Sequence, residues 1–513
     1  MTSRLVPVGL LLPCAAVVGW TVLGVLGVLD YEYLSSPREI AAALTDLVAE
    51  GELVGDLVHT VRVAVIATLI GTALGGMLGF AIGLLPLVRR NVTAGIDVLR
   101  VVPAVALVPI ALLALGPAVR TEVVLAVYAA VWPVVLSTAA GVAAVHPRQY
   151  DVARTLHLSR AATVRTIVVP AAVPAWLAGT RMAAVAALLV AIVAEMIMWP
   201  RGLGGGLTES LHALAPARMW AYALICGFVG FLVNLLLRQG VRRACPGSTF
   251  GGSPAVRQPA APLRGLVPLV GALVVWQLFV RDAQSFPPPS AWFTGLAGLH
   301  DDGALLPAIG HTVAVVVGGL ALATLIGTAV GIAIGASRWV DRALTPSVEF
   351  LAAVPAAAFV PIAVLLLGTS MASEVAVVAL VTAWPILLET AVAMRTVPAV
   401  RLDVSRTLRL STADKWRKVV LPTLAPAILL GVRIAAALAL VVALLVEILG
   451  AGTGIGRLLV ESQQSFDAAA AWGLLLVVGI TGYLLSAAVV RIDGFVARQP
   501  SSGGPSVRSR TAA

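Results

Sequence analysis

The chain has 513 residues, of which 59% are hydrophobic and 12% are charged, and its formal net charge is +10. A soluble globular protein carries about 25% charged residues, so this composition excludes a globule that is dissolved in water on all sides. The arginines lie in short loops between apolar stretches, a distribution that indicates helix orientation in a bilayer and excludes nucleic acid as the expected partner.

Apolar stretches of about 20 residues, the length that crosses a bilayer, recur along the chain. In the first half we predict spans at 6–29, 59–86, 98–117, 121–144, 180–199 and 218–238. In the second half we predict spans at 263–281, 311–336, 349–368, 373–394, 428–450 and 470–491. The stretch at 6–29 is longer than a signal-peptide core of about 7–15 residues and is expected to remain as the first span. The predicted fold class is an all-α membrane protein of about twelve transmembrane helices.

The two halves are direct repeats of one domain. His59-Thr60 returns as His311-Thr312, an offset of 252 residues. The same offset relates Pro103, Trp132-Pro133, Asp151, Pro170, Gly179, Arg181 and Glu195 to Pro355, Trp384-Pro385, Asp403, Pro422, Gly431, Arg433 and Glu447. We therefore expect a first repeat at 1–238, a cytoplasmic linker rich in Gly, Pro, Ser and Arg at 239–262, and a second repeat at 263–495. A polar tail at 496–513 is expected to be disordered.

Loop charge predicts the orientation. The segment 30–56 has seven acidic residues and one arginine, whereas 146–170 has four arginines and one aspartate. The segment 395–422, the repeat of 146–170, has seven Lys or Arg and two Asp. Loops rich in Lys and Arg stay in the cytoplasm, so we expect both termini, the linker and the two long basic loops on that side of the cell membrane.

The two long basic loops have the same pattern. Each is predicted as a short amphipathic helix, a turn, and a second short helix that stops near a proline, at Pro170 or Pro422. Apolar Val152, Leu156 and Leu158 are free to face the bundle or a partner, whereas the arginines face water. A loop of this length and pattern is more than a connection, and it suits docking into a groove of a partner protein.

These loops resemble the EAA loop of ABC importer permeases, whose pattern is E-A-A, a Gly six residues after the Glu, and then I-x-L-P. The matching positions are Asp151, Ala153, Ile167, Val169 and Pro170 in the first loop, and Asp403, Val419, Leu421 and Pro422 in the second. His157 and Arg409 replace the glycine, so the turn is reached without glycine or has a changed shape. Leu156 and Leu408 are our candidates for the docking contact.

The chain also resembles the nitrate, sulfonate and taurine branch of these permeases. That branch has a Trp-Pro in the fourth span, here at Trp132 and Trp384, and an acidic residue before a Gly-rich stretch, here at Glu195 and Glu447. Glu195 and Glu447 are candidates for the solute pathway, and the alternative is that they snorkel at the membrane interface. Trp132 and Trp384 are weaker pathway candidates, because packing at a proline kink is the default interpretation and nothing in the sequence supports a solute contact.

The resemblance implies a type I-like permease with two fused copies of a six-span domain, which works with two cytoplasmic ATPase subunits and an external solute-binding protein. The only lysines, Lys415 and Lys418, lie in the second loop, and no Walker A sequence occurs, so the chain is not expected to hydrolyse ATP. The alternatives are a secondary transporter with two parallel six-helix repeats, and a membrane-anchored enzyme, for which no catalytic cluster is visible.

No cofactor or metal site is expected. Cys14, Cys226 and Cys245 lack the spacing of metal ligands, and the six histidines form no cluster along the sequence.

Overall fold

A computed structural model describes residues 15, 17–24, 26, 33–198, 201–245, 263–280, 285–450 and 452–497. Within these ranges all regular secondary structure is helical. The helices of the first half are α1 (Pro37–Ala49), α2 (Glu52–Leu84), α3 (Pro86–Leu99), α4 (Val108–Leu115), α5 (Val119–Ala143), α6 (Pro147–Thr155), α7 (Arg160–Thr163), α8 (Val169–Met198), α9 (Leu203–His212) and α10 (Pro216–Ala244).

The second half repeats this order and begins with α11 (Val267–Phe279), and residues 17–24, which correspond to part of α11 at the offset of 252, are helical as well. Its other helices are α12 (Pro289–Asp301), α13 (Leu305–Ala336), α14 (Arg338–Ala353), α15 (Ala356–Leu367), α16 (Met371–Arg395), α17 (Ala399–Thr407), α18 (Thr412–Lys415), α19 (Leu421–Leu449), α20 (Ile455–Gln464) and α21 (Ala468–Ala497). The direct repeat and the all-α membrane fold predicted from the sequence are therefore confirmed.

The described residues contain eight helical segments that are long and apolar enough to cross a membrane, or ten if each of two bent helix pairs counts as one span. The span predicted at 6–29 lies largely outside the described residues, and α11 is a shorter apolar helix of 13 residues. The total of twelve spans therefore stays a prediction.

The third span of each half is broken, which corrects the expectation of single helices at 98–117 and 349–368. α3 and the following segment Ala104–Leu115 meet at 77°, and α14 and α15 meet at 94°. Pro103 and Pro355 lie at the breaks with extended backbone, at ψ 137° and ψ 133°. Proline has no N–H to donate and disfavours a helical conformation in the residue before it, so the helix ends and restarts in a new direction.

A row of glycines lets α2 lie close to α5. A Cβ atom at Gly71 would be 2.6 Å from the Cβ of Ala130, and one at Gly79 would be 2.6 Å from the Cβ of Thr138. Small residues at four-residue spacing bring helix backbones together in membrane proteins. In the second half α13 meets α16 in the same way at Gly319, Gly327, Gly331 and Gly335.

The last helix of each half contacts the broken span of the other half. In α10, Gly227 faces Val354, and the ring centroids of Phe231 and Phe350 are 6.1 Å apart. In the reciprocal contact, Gly482 of α21 faces Val101. Reciprocal contacts between equivalent surfaces are the mark of a two-fold arrangement, so the fused halves pack as a pseudo-dimer.

Candidate functional site

The first helix of each long loop ends at a residue in the left-handed conformation. His157 has φ 51° after α6, and Arg409 has φ 48° after α17. The His157 and Leu158 N–H groups donate to the carbonyls of Arg154 and Ala153 at 3.0 and 2.9 Å. This pattern closes a helix at a left-handed residue, where glycine is the usual choice. The turn is therefore reached without glycine, in both halves.

The second helix of each loop does not stop near the proline, which corrects the sequence prediction. The Ser159 hydroxyl accepts the first-turn N–H of Ala162 at 3.2 Å, and one π-helical turn at 164–168 joins α7 to α8. The second half has the same π turn at 416–420. Pro170 and Pro422 lie in the first turn of α8 and α19. Because proline lacks an N–H and crowds the preceding turn, a wider π turn accommodates it. Each loop is thus continuous with a membrane helix.

One side of each loop is anchored and the other presents apolar side chains. Ala153 is buried, whereas Leu156 and Leu408 are 63% and 64% exposed. Val152, also exposed, borders a groove of about 400 Å³. The groove is lined by Gln149, Val152, Thr166, Ile167, Pro170 and Ala171. In the first loop, an exposed apolar surface next to a groove has the properties of a docking site.

The acidic residue at the start of each motif is exposed and pairs within its own helix. Asp151 and Arg154 lie 3.5 Å apart, and Asp403 and Arg406 lie 3.1 Å apart. Exposed ion pairs contribute little to stability, so these charges remain available to a partner. The other motif positions frame the π turn: Ile167 and Val419 lie within it, and Leu421 is 43% exposed beside Pro422.

The candidate pathway residues Glu195 and Glu447 are fully buried. Thr60 donates its hydroxyl proton to Glu195 at 2.9 Å, and the backbone N–H of Gly204 donates to the same oxygen at 3.0 Å. Thr312 and Gly456 donate to Glu447 at 2.7 and 2.8 Å. Each carboxylate therefore caps the N-terminus of the short helix that follows the fifth span, α9 or α20.

This capping explains the Gly-rich stretches after Glu195 and Glu447. Gly202 has φ 95°, and a Cβ at Gly204 would collide with the carbonyl oxygen of Ile192. Only glycine lets the chain turn here and approach the carboxylate closely. In the sequence these glycines form a motif, but their physical reason appears only in the contact with the carboxylate.

Two further acidic residues belong to the same sites and were missed from the sequence. Glu122 Oε2 lies 2.9 Å from His59 Nε2, and Glu374 Oε2 lies 2.7 Å from His311 Nε2. Glu122 and Glu374 obey the offset of 252, as do His59 and His311. A search for all titratable pairs at that offset would have found them.

Trp132 and Trp384 lie half-buried inside α5 and α16, beside the prolines of those helices. Trp132 packs edge-on against Tyr128 at 5.5 Å between ring centroids. Trp384 packs on the apolar cluster around Ile334 and Val348. The structure does not bring either ring next to Glu195 or Glu447 by any described contact, and their role in a pathway stays a prediction.

The repeated fold and loops define a class. The family model described as "Binding-protein-dependent transport system inner membrane component" matches residues 65–244 and again 313–501. The chain belongs to this family, with one copy of its domain in each half. It is a permease subunit of the ABC importer type.

Curated relatives are similar to one half of the chain. A putative aliphatic sulfonates transport permease protein of Bacillus subtilis (strain 168) is 29% identical over 230 residues, which are 45% of this chain and 83% of the relative. A bicarbonate transport system permease protein of Synechococcus elongatus is 31% identical over 250 residues, 46% of this chain and 89% of the relative. A nitrate import permease protein of Leptolyngbya laminosa is 34% identical over 179 residues, which are 35% of this chain and 63% of the relative. Each match is the size of one repeat.

Proposed function

We propose that this chain supplies both permease domains of one importer and moves a small anion into the cytoplasm by alternating access. Two separate ATPase subunits would bind the two long loops, and an external solute-binding protein would deliver the solute. The observation that carries this proposal is the pair of loops with the same left-handed turn and the same exposed leucine. Closure of the ATPases on ATP would push both loops and rock the two halves.

The loops suit mechanical coupling because each is continuous with a long membrane helix. A push on α7 or α18, the second helix of each loop, passes through the π turn into α8 or α19 without a break in the helix. Helices transmit displacement as stiff units, so a movement at the loop reaches the capped glutamate at the far end of the same helix.

The apolar side chains should supply most of the affinity for the ATPase. Truncation of a buried leucine costs about 2–5 kcal/mol, and a docking groove lies at the low end of that range. A loss of about 2 kcal/mol weakens binding roughly 30-fold. Exposed charges mainly raise the association rate and specificity. Leu156→Ala or Leu408→Ala should therefore weaken ATPase binding more than Arg154→Ala or Arg406→Ala does.

Pull-down of the ATPase by the full chain in detergent, at two salt concentrations, measures this difference. Leu214→Ala is the matched control, because Leu214 is 62% exposed but lies outside the loops. Neutralising Lys415, Arg417 and Lys418 together should make assembly less sensitive to salt. If both loop-leucine variants assembled and transported like the parent, this docking surface would be wrong.

The solute is proposed to be a small anion because the relatives are named for sulfonates, bicarbonate and nitrate. Uptake of labelled nitrate, bicarbonate and an alkanesulfonate into vesicles that contain the assembled importer tests this class. Transport of a cation or a sugar in preference to all three anions would contradict it.

We further propose that both termini and the two loops are cytoplasmic, and that the domain boundaries are those predicted above. The basic charge of 146–170 and 395–422 supports this orientation. The pairs His59–Glu122 and His311–Glu374 would then lie at the outer ends of their helices.

A further inference from the structure

The same three side chains meet in each half of the molecule. One ligand atom from each of His59, Glu122 and Glu195 lies within 4.8 Å of the other two. His311, Glu374 and Glu447 form the same group in the second half, again within 4.8 Å. The three members come from the N-terminal part of the second span, the first turn of the fourth and the end of the fifth, so the group joins three helices.

The group in the first half holds a buried acceptor without a donor among the described residues. Glu195 is 0% exposed, and its Oε1 atom has no hydrogen-bond partner there, whereas Oε2 accepts both hydrogen bonds described above. Glu122, which is 5% exposed, adds a second carboxylate beside it. A ligand oxygen of each of these two carboxyl groups lies within 4.8 Å of the other, and a bound cation would offset the cost of burying their like charges together.

The histidine in the second half is oriented like a metal ligand. His311 Nδ1 lies 3.2 Å from the hydroxyl of Thr453, and Nε2 faces Glu374. A proton on Nδ1, donated to Thr453, leaves the Nε2 lone pair directed at the carboxylates. Histidines that bind metals usually hold the other ring nitrogen in such a hydrogen bond. The His311 side chain is 17% exposed, which gives an ion a route from solvent.

We propose that each of these two groups binds one divalent transition-metal cation of the zinc type. One imidazole nitrogen and two carboxylate oxygens form a mixed ligand set that suits zinc, with water in the fourth position. Magnesium and calcium prefer oxygen ligands alone. A dication also balances the two carboxylates. In each half the ion would hold the three helices together at the ends that carry the capped glutamate.

The spacing of cysteines and histidines along the sequence does not reveal these two groups. Neither His59 nor His311 has another histidine or a cysteine as a neighbour in the fold among the groups described. The second and third ligands are glutamates that lie 63 and 136 residues further along the chain, since His59 pairs with Glu122 and Glu195.

The test uses the full chain, purified through a tag without histidine, treated with EDTA and placed in lipid nanodiscs. Equilibrium dialysis against zinc, with metal measured by mass spectrometry, should give two zinc ions per chain. Glu122→Gln or Glu374→Gln should each retain one, and the double variant none. His300→Asn is the control, because His300 lies in α12 outside both groups, and it should retain two.

A second measurement needs no substitution. Cobalt added to the unmodified chain should give the visible absorption of a four- or five-coordinate site, and zinc should abolish it while a hundredfold excess of magnesium should not. Less than one zinc ion per chain, or equal binding by the double variant, would overturn the proposal. A cobalt spectrum of the hexaaquo ion alone would overturn it as well, even if the glutamine variants failed to fold.

Discussion

His157→Gly should stabilise the first loop. His157 is exposed, makes no described hydrogen bond through its side chain, and has φ 51°. A left-handed residue other than glycine costs about 1–2 kcal/mol, and glycine returns about 0.5–1 kcal/mol of that through the extra entropy of its unfolded state. The net gain is about 0.5–1 kcal/mol. Arg409→Gly should act in the same way in the second loop, where φ is 48°.

Hydrogen–deuterium exchange of loop peptides measures this gain directly, because a local opening that costs 1 kcal/mol more slows exchange about fivefold. Arg154→Gly is the control of opposite sign, since Arg154 is exposed in the right-handed helix α6, where glycine costs about 1 kcal/mol. Its peptide should exchange faster. If the loop peptide exchanged as fast in His157→Gly as in His157→Ala, the left-handed turn would carry no strain. That result would contradict the predicted gain in stability.

Three further changes test the packing, the capping and the orientation. Gly71→Ala should lower the free energy of unfolding by about 1–3 kcal/mol, because the added Cβ would collide with α5. Gly55→Ala, whose added Cβ has nothing within 4 Å, should raise the free energy of unfolding. Equal effects of the two substitutions in thermal unfolding would refute the close approach of α2 to α5. Thr60→Val removes a donor from buried Glu195 and should cost about 1–3 kcal/mol, but Thr68→Val, whose hydroxyl bonds its own helix, should cost much less. Ser159→Cys, in a cysteine-free background, should not react with a membrane-impermeant thiol reagent in intact cells. Labelling of this cysteine from outside would contradict the proposed cytoplasmic position of the loop.

The sequence predicted those features that depend on local patterns. The length of the apolar stretches predicted the membrane helices, and the constant offset of 252 residues predicted the repeat. The spacing of the motif residues predicted the positions of the two long loops. The replacement of glycine by His157 and Arg409 left the shape of the turn open. The structure shows that backbone hydrogen bonds close the turn with His157 or Arg409 in the left-handed conformation, which the sequence does not reveal.

Features that depend on contacts between distant helices were missed or wrong. Pro103 and Pro355 were expected to be tolerated inside a span, but each lies at a break between two helices. The sequence does not indicate the direction in which the chain continues, because that direction depends on packing against other helices. Glu122 looks like an ordinary first-turn acid of α5. Only the packing of α2 against α5 brings it to His59. The role of Gly204 depends equally on a partner, Glu195, at the end of another helix.

The most direct test of the account is the energy source of transport. The purified chain, reconstituted in vesicles, should hydrolyse no ATP above background. Addition of its ATPase partner and solute-binding protein should give ATP hydrolysis together with solute uptake, and Leu156→Ala with Leu408→Ala should reduce both. Uptake driven by an ion gradient in vesicles that contain this chain alone, without ATP, would contradict the account and support a secondary transporter.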